Sequence, residues 1–325
     1  MTLRTQKKVY AQRGRAGKPP SILAGCPSDR MVRLRRTASL AITLALPALN
    51  GCLWHTRKVP QAKIPDNVQS AAPAQLVDII NKQFETIHSL SASVTFTATQ
   101  GGSIKGSEKT IAPFTGYILL RKPESLRVIG YLPVVHTQAF DMASDGNSFT
   151  LVIPPRSKAI EGTNTASQSS ASSLENLRPY MFVDSLVIPQ IGPDDLLSVT
   201  GDSTTIVDPK TRKMELRPDY LLAVAERQGT SNILLTRRVI RFSRLDLTPV
   251  EEDIYGPDGQ VQTQALYGPL QTFGTEQFPG TVTIKWPLQE QQILITIQKL
   301  RMNPPLTDDQ FQLKVPEGIP IQHMK

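Results

Sequence analysis

Phe114-Thr-Gly-Tyr-Ile-Leu-Leu-Arg-Lys-Pro-Glu-Ser-Leu-Arg-Val128 is two strands and the turn between them. Apolar residues crowd Phe114–Arg121 and Ser125–Tyr131, and Lys122-Pro123 interrupts them, because proline fixes φ and has no N–H with which to continue a ladder. The same unit recurs on both sides. Upstream, Val94, Phe96 and Ala98 alternate with Ser93, Thr95 and Thr97, the period of a half-buried strand, and Gly101-Gly102 turns the chain. Downstream, Val134–Met142, Phe149–Ile153 and Lys158–Glu161 read as strands, parted by Leu132-Pro133 and Ser144-Asp145-Gly146-Asn147. Strands spaced about ten residues apart with turn signals between them predict an antiparallel meander.

The pattern resumes in the carboxy-terminal half, at Leu197–Val207, Lys213–Leu216, Leu221–Glu226, Asn232–Phe242, Leu245–Tyr255, Gln260–Tyr267, Thr281–Trp286 and Ile293–Leu300, with Phe311–Val315 as one more. Gly256-Pro257-Asp258-Gly259 is a strong turn. Two segments have the helical period instead. In Ala74–Leu90, Leu76, Ile80, Phe84 and Ile87 recur at four, four and three residues and form one stripe, with Asp78, Lys82 and Glu85 elsewhere. Leu174–Val187 also reads as a helix, with Pro179 near its first turn or at a kink. Thr163–Ser173, rich in Ser, Ala and Asn, is a flexible loop that interrupts the sheet without separating domains. Twelve to fourteen strands and two helices give a mainly β (α+β) class, one curved antiparallel sheet with helices on one face rather than a βαβ protein. The strand-like sequence between Leu197 and Tyr267 either extends that sheet or forms a second one.

A different physics governs the amino terminus. Arg33, Arg35 and Arg36 precede an apolar run, Thr37–Leu49, and a small residue and a cysteine follow in Leu49-Asn50-Gly51-Cys52. This is the layout of a secretory signal peptide. The 13 residues of the run fall short of the ~20 that a membrane-crossing helix needs. Residues 1–51 therefore read as leader and signal peptide, with Met31 as the expected true start, and 52–73 as a proline-containing tether. The working domain is expected at 74–325.

Those boundaries change the electrostatics. Residues 1–51 carry ten of the 36 Lys and Arg and one of the 28 Asp and Glu, so the formal +8 belongs to the leader. The remaining 274 residues have 26 basic against 27 acidic side chains, a balance that removes the argument for a nucleic-acid partner. Of the two cysteines, Cys26 goes with the leader, and a lipidated Cys52 leaves no thiol to pair. A chain of this size holds a sizeable core without disulfides.

Residues that would carry enzyme chemistry are scarce. The four histidines are His55 in the tether, His88 at a helix end, His136 on a strand and His323 in the tail, and none stands at metal-ligand spacing from another. No Gly-x-Ser-x-Gly elbow, phosphate loop or dinucleotide glycine pattern occurs. Glu251 and Asp253 share a strand face, which is either a weak calcium site or a solvated strand end. Arg237, Arg238, Arg241 and Arg244, interleaved with Ile240, Phe242 and Leu245, are either a phosphate-pairing run or the basic outer face of an ordinary strand. No catalytic residue, metal or cofactor is expected beyond a covalent lipid on Cys52.

Taken in order, Gly51-Cys52, the amphipathic helix, Ser89-Leu-Ser-Ala-Ser-Val-Thr-Phe96, Phe114–Val128, Ser144-Asp-Gly-Asn-Ser-Phe-Thr-Leu-Val-Ile-Pro154 and Asp308-Asp-Gln-Phe-Gln-Leu-Lys-Val-Pro-Glu-Gly318 resemble the LolA and LolB superfamily of lipoprotein carriers and outer-membrane receptors. Gly51-Cys52 is similar to a lipobox, which implies a diacylglyceryl group on Cys52 and an acylated new amino terminus. Leu53, where a sorting rule of that class places aspartate for inner-membrane retention, implies the outer membrane, facing the periplasm.

The resemblance also implies a fold and a site. The fold is an open antiparallel half-barrel whose concave apolar face is lidded by helices and holds acyl chains. The candidate ligand residues are Phe96, Ile118, Leu120, Leu126, Lys122 and Leu132. Lys122 stands where the carrier has an arginine that latches the lid, and a lysine lacks the forked donors of a guanidinium. Leu126 falls at a cavity aromatic, and Leu132 at the exposed leucine of the receptor's loop. Equally, Lys122 is an ordinary solvated turn residue, Leu126 a core residue and Leu132 a packed loop residue. Burying a 16-carbon palmitoyl chain yields about 12 kcal/mol gross at ~0.8 kcal/mol per CH₂, so such a site needs no catalytic group.

Three functions follow as expectations. The first is an outer-membrane lipoprotein binding acyl chains or lipoproteins, partnered by the membrane and by a periplasmic carrier protein. The second is an envelope scaffold whose concavity is filled by its own side chains. The third is a lipid hydrolase built around His136.

Overall fold

The computed structural model describes residues 57–59, 61–133, 135, 137–164, 175, 177–207 and 211–324. Every element below lies in one compact unit, Gln61–Lys325. Cys52, Met31, His55, His136 and residues 165–173 of the expected loop lie outside the described residues.

Seventeen strands and two α-helices are described. In chain order they are α1 (Pro73–Thr86), β1 (Ser89–Gly102), β2 (Ser107–Thr110), β3 (Phe114–Arg121), β4 (Ser125–Tyr131), β5 (Gln138–Ser144), β6 (Ser148–Ile153), β7 (Lys158–Thr163) and α2 (Pro179–Leu186). They continue as β8 (Leu196–Val207), β9 (Met214–Arg227), β10 (Leu234–Ser243), β11 (Pro249–Tyr255), β12 (Val261–Tyr267), β13 (Leu270–Phe273), β14 (Glu276–Pro279), β15 (Thr281–Trp286), β16 (Gln291–Met302) and β17 (Ile321–Met324). One sheet runs β17-β7-β6-β5-β4-β3-β1-β16-β15-β12-β11-β10-β9-β8, with β2 paired to β1, and β13–β14 is a separate hairpin. Its two ends do not pair, so it is a curved open sheet rather than a closed barrel. All ladders are antiparallel except β17–β7. The sequence from Leu197 to Tyr267 extends this sheet as β8 to β12.

Phe114–Val128 sits near the middle. β3 pairs with β1 on one side and β4 on the other, and Gly116 lies directly opposite Gly130. A Cβ on Gly116 would stand 2.3 Å from the Ile129 carbonyl and 2.5 Å from the Phe96 ring, and one on Gly130 would stand 2.6 Å from the Phe140 ring. The missing side chains give three rings their places. Phe96 packs 5.4 Å from Phe114 and 6.2 Å from Phe140, centroid to centroid. Around them Leu90, Val94, Ile118, Leu120, Leu126, Met142 and Ile295 make a continuous apolar core.

α1 spans that core and a second one. Leu76 and Ile80 are fully buried against Ile188, Leu222, Ile240 and Phe242, while Phe84 and Ile87 pack on the larger cluster. The helix ends at Thr86, four residues short of the expected Leu90, because Asn303 caps it. Asn303 Nδ2 donates to the Thr86 carbonyl at 2.9 Å, and Asn303 Oδ1 accepts from the backbone of His88 and Ser89 at 2.7 and 3.2 Å.

Other boundaries also moved. Pro179 occupies the first turn of α2, the one place where its missing N–H is harmless, so this helix starts five residues later than expected. Lys213–Leu216 and Leu221–Glu226 are a single strand, β9. Pro218 is tolerated there because it lies just past Asp219↔Ser243, the last pair with β10. Phe311–Val315 is no strand, since Thr307 and Gln310 form a capping box that winds Asp308–Phe311 into a 3₁₀ turn, and the last strand is β17 instead. The short β2, β13 and β14 had no apolar alternation to announce them. Part of the expected tether is bound to the sheet. Lys63 bridges to Glu215, and Gln69 and Arg244 exchange backbone and side-chain bonds at 2.7 and 3.0 Å.

Candidate functional site

Where α1, α2 and the β3–β4 turn converge, they leave a cavity of about 520 Å³. Phe84 of α1, Leu120 of β3, and Val183, Val187 and Pro189 in and after α2 make its apolar wall. Lys122, Pro123 and Glu124 of the turn and Asp184 of α2 add a polar edge. Asn81 ties α1 to the segment that follows α2, its Nδ2 donating to the Ile191 carbonyl at 3.1 Å and its Oδ1 accepting from the Ile191 N–H at 2.9 Å. A shallower depression on the other face of the sheet, lined by Tyr117, Tyr131 and Lys299, has no covering helix among its lining residues.

Lys122 ties the turn to α1. Its ammonium donates to the Phe84 carbonyl and stands 3.8 Å from the centre of the Phe84 ring. That carbonyl lies in the last turn of α1, where backbone acceptors have no intrahelical donor, so the bond satisfies an orphan. Burial holds the Lys122 pKa below its ordinary value, with Glu85 pulling the other way. A lysine thus reaches the helix without a guanidinium fork.

Asp184, like Glu124, is an acidic group on the cavity edge. Among the described residues its carboxyl has no hydrogen-bond or ion-pair partner. Desolvation raises its pKa from 3.8 to about 6, opposed by Arg238 and reinforced by Glu124. Behind it lies a buried polar group on the inner face of the sheet. Glu252, fully buried, accepts from Tyr267 Oη at 3.1 Å through Oε2, and Arg238 Nη1 stands 3.5 Å from Oε1. Burial lifts Glu252 to about 7, against Arg238 and with Asp184, and raises Tyr267 well above its usual value. One arginine therefore serves two desolvated carboxyls.

The structure sorts the sequence candidates. Leu120 and Lys122 border the cavity together, although Leu120 is as fully buried as the core beneath. Phe96, Ile118 and Leu126 are fully buried in the core beneath, and Leu132 packs half-buried against its edge in the β4–β5 connection. The basic run divides by face. Arg237 pairs with Glu226 at 3.4 Å, Arg241 with Asp202, Asp219 and Glu251 at 2.7 to 3.4 Å, and Arg244 with the Gln69 carbonyl. Arg238 alone turns inward to Glu252 and is not part of a basic outer face. Glu251 and Asp253 do share a face, and Gln264 Nε2 donates to both, at 3.0 and 2.8 Å. Among the described residues no three His, Cys, Asp or Glu stand together as metal ligands.

Sequence reading missed Asp184 and Glu252, although both left a signal. Asp184 interrupts the apolar run Met181–Ile188, and if Glu251 and Asp253 face outward, strand alternation sends Glu252 inward.

No family model matches the chain, and no curated protein matches it. Solved structures are similar to it. The crystal structure of a DUF1329 family protein from Desulfovibrio piger has a TM-score of 0.47 and 13% identity, over 74% of this chain and 95% of that one. A LolA superfamily protein from Nitrosomonas europaea, NE2245, has a TM-score of 0.43 and 12% identity, over 73% of this chain and 97% of that one. An outer membrane lipoprotein-sorting protein domain from Vibrio parahaemolyticus has a TM-score of 0.46 and 8% identity, over 74% and 97%. At such identities they assign no residue a role.

Proposed function

We propose that the protein is a non-enzymatic envelope lipoprotein that holds an acyl chain, free or on a lipoprotein, between its sheet and two helices. The cavity carries this reading. At about 520 Å³ it lies within the ~300–1,000 Å³ of small-molecule sites, and it has their composition, an apolar wall with few polar groups at its edge. The leader and Gly51-Cys52 supply the other half of the argument, since a chain exported and acylated at Cys52 works beside lipid. The same reading places it at the outer membrane facing the periplasm, with a periplasmic carrier protein as the source of its cargo.

A second reading, an envelope scaffold that uses the fold to bind protein, is favoured by one observation. Much of the concave face is occupied by the protein's own Phe96, Phe114 and Phe140. Native mass spectrometry of the whole protein, prepared without detergent and followed by lipid extraction, separates the two. The acyl-binding reading expects one acyl-bearing molecule per chain, lost in Val183→Arg while the melting temperature holds. A protein that carries no acyl molecule and takes none up on incubation leaves the scaffold reading.

A further inference from the structure

The charges on the cavity wall narrow the ligand further than its apolar surface does. Lys122 is already engaged, through the Phe84 carbonyl and ring. Asp184 is not, although it opens on the same space. Asp184 is half-buried, so its carboxyl group keeps only part of its water and has no protein donor to replace the rest, and a ligand that brings a positive donor to it recovers part of that cost. We propose that the cavity selects an amphiphile with an ammonium head, seated on Asp184, its chain lying along Phe84, Leu120 and Val187. This rests on the acyl-binding reading and adds the head group to it.

The surroundings of Asp184 give the selection a direction in pH. The charged and titratable groups facing it are Glu124 from the β3–β4 turn, Arg238 from β10, Glu252 from β11 and Tyr267 from β12, with Lys122 on the same wall. Arg238 is shared with Glu252 and leaves Asp184 a net demand for positive charge. With its pKa near 6, Asp184 is ionised at pH 8 and largely protonated at pH 5. An ammonium head is therefore favoured at the higher pH and loses its advantage at the lower. An ammonium arrives either as a bare alkylamine or within a zwitterionic phosphoethanolamine head.

Calorimetric titration of the whole protein with dodecylammonium, lauroyl lysophosphatidylethanolamine and laurate tests this. At pH 8 either ammonium probe is expected to bind roughly tenfold or more tighter than laurate, the scale of one charge-assisted hydrogen bond. The tighter of the two identifies the source of the head. The preference is expected to vanish at pH 5, and at pH 8 in Asp184→Asn and Asp184→Ala, whose melting curves confirm that they fold. Laurate binding as tightly as the ammonium probes, or a preference that survives both variants, overturns the head-group inference while the acyl-binding reading stands. If none of the three probes binds, the acyl-binding reading itself falls and takes the inference with it.

Discussion

The inner face of this sheet is finished in two ways. Under β1, β3, β4 and β5 it is filled with rings, where Gly116 and Gly130 make room for Phe96, Phe114 and Phe140. Under β10, β11 and β12 it carries Arg238, Glu252 and Tyr267, and α2 lays Asp184 alongside. Both regions belong to one continuous ladder, so the backbone does not distinguish them. Dispersion and area burial hold the first, and they depend little on pH. The second adds to its apolar contacts with Leu76 and Ile80 a set of charges whose balance changes near neutrality, and the cavity lies next to it.

The sharpest way to break the comparison is to empty the packed region. Phe96→Ala removes a fully buried ring on which two others rest, and a loss of about 3–5 kcal/mol is expected in chemical denaturation, nearly equal at pH 5 and pH 8.

Arg238→Leu probes the other region. It strands Glu252 and Asp184 without their cation, and the loss is expected to reach about 3 kcal/mol at pH 8. At pH 5 both carboxyls are protonated and most of that loss disappears. Equal losses at the two pH values would mean that Arg238 acts through packing alone.

The unaltered protein reports the same charges more gently. The folded pKa values of Asp184 and Glu252, about 6 and about 7, lie above those of the free side chains, so the native state binds more protons than the unfolded one between roughly pH 4 and pH 7. The stability contributed by these two groups is therefore fully present below that window and is lost as pH rises through it, with as much as ~3 kcal/mol from Glu252. Denaturant midpoints across pH 5 to 8 measure this. A stability that climbs with pH would contradict the placement of these groups.

The smallest effect belongs to Lys122. Lys122→Gln loses the bond to an orphan carbonyl and the contact with the Phe84 ring, about 1 kcal/mol together, read as a lowered melting temperature and faster hydrogen exchange at the end of α1.

The two regions also differed in how plainly the sequence announced them. Period-two alternation in Val94, Phe96 and Ala98 and the Lys122-Pro123 turn gave the packed region nearly strand for strand, because burial on one face writes itself directly into residue order. The end of α1 was hidden, since Asn303 caps it from more than 200 residues away. Leu120 and Lys122, named as candidates through resemblance, both border the cavity. Asp184 and Arg238 were not legible as site residues, because α2 and β10 meet only through the fold. Ile118 and Leu126 show the limit of that reading, for an inward apolar residue has the same pattern whether it lines a cavity or fills a core.

The proposed function puts an alkyl chain between α1, α2 and the β3–β4 turn. A crystal of the whole protein grown with 12-bromododecylammonium tests it most directly, through the anomalous signal of the bromine. A single strong peak is expected against Phe84, Leu120 and Val187, with the ammonium at Asp184. A peak in the depression beside Tyr117 and Tyr131, or no ordered bromine at a saturating concentration, would contradict it.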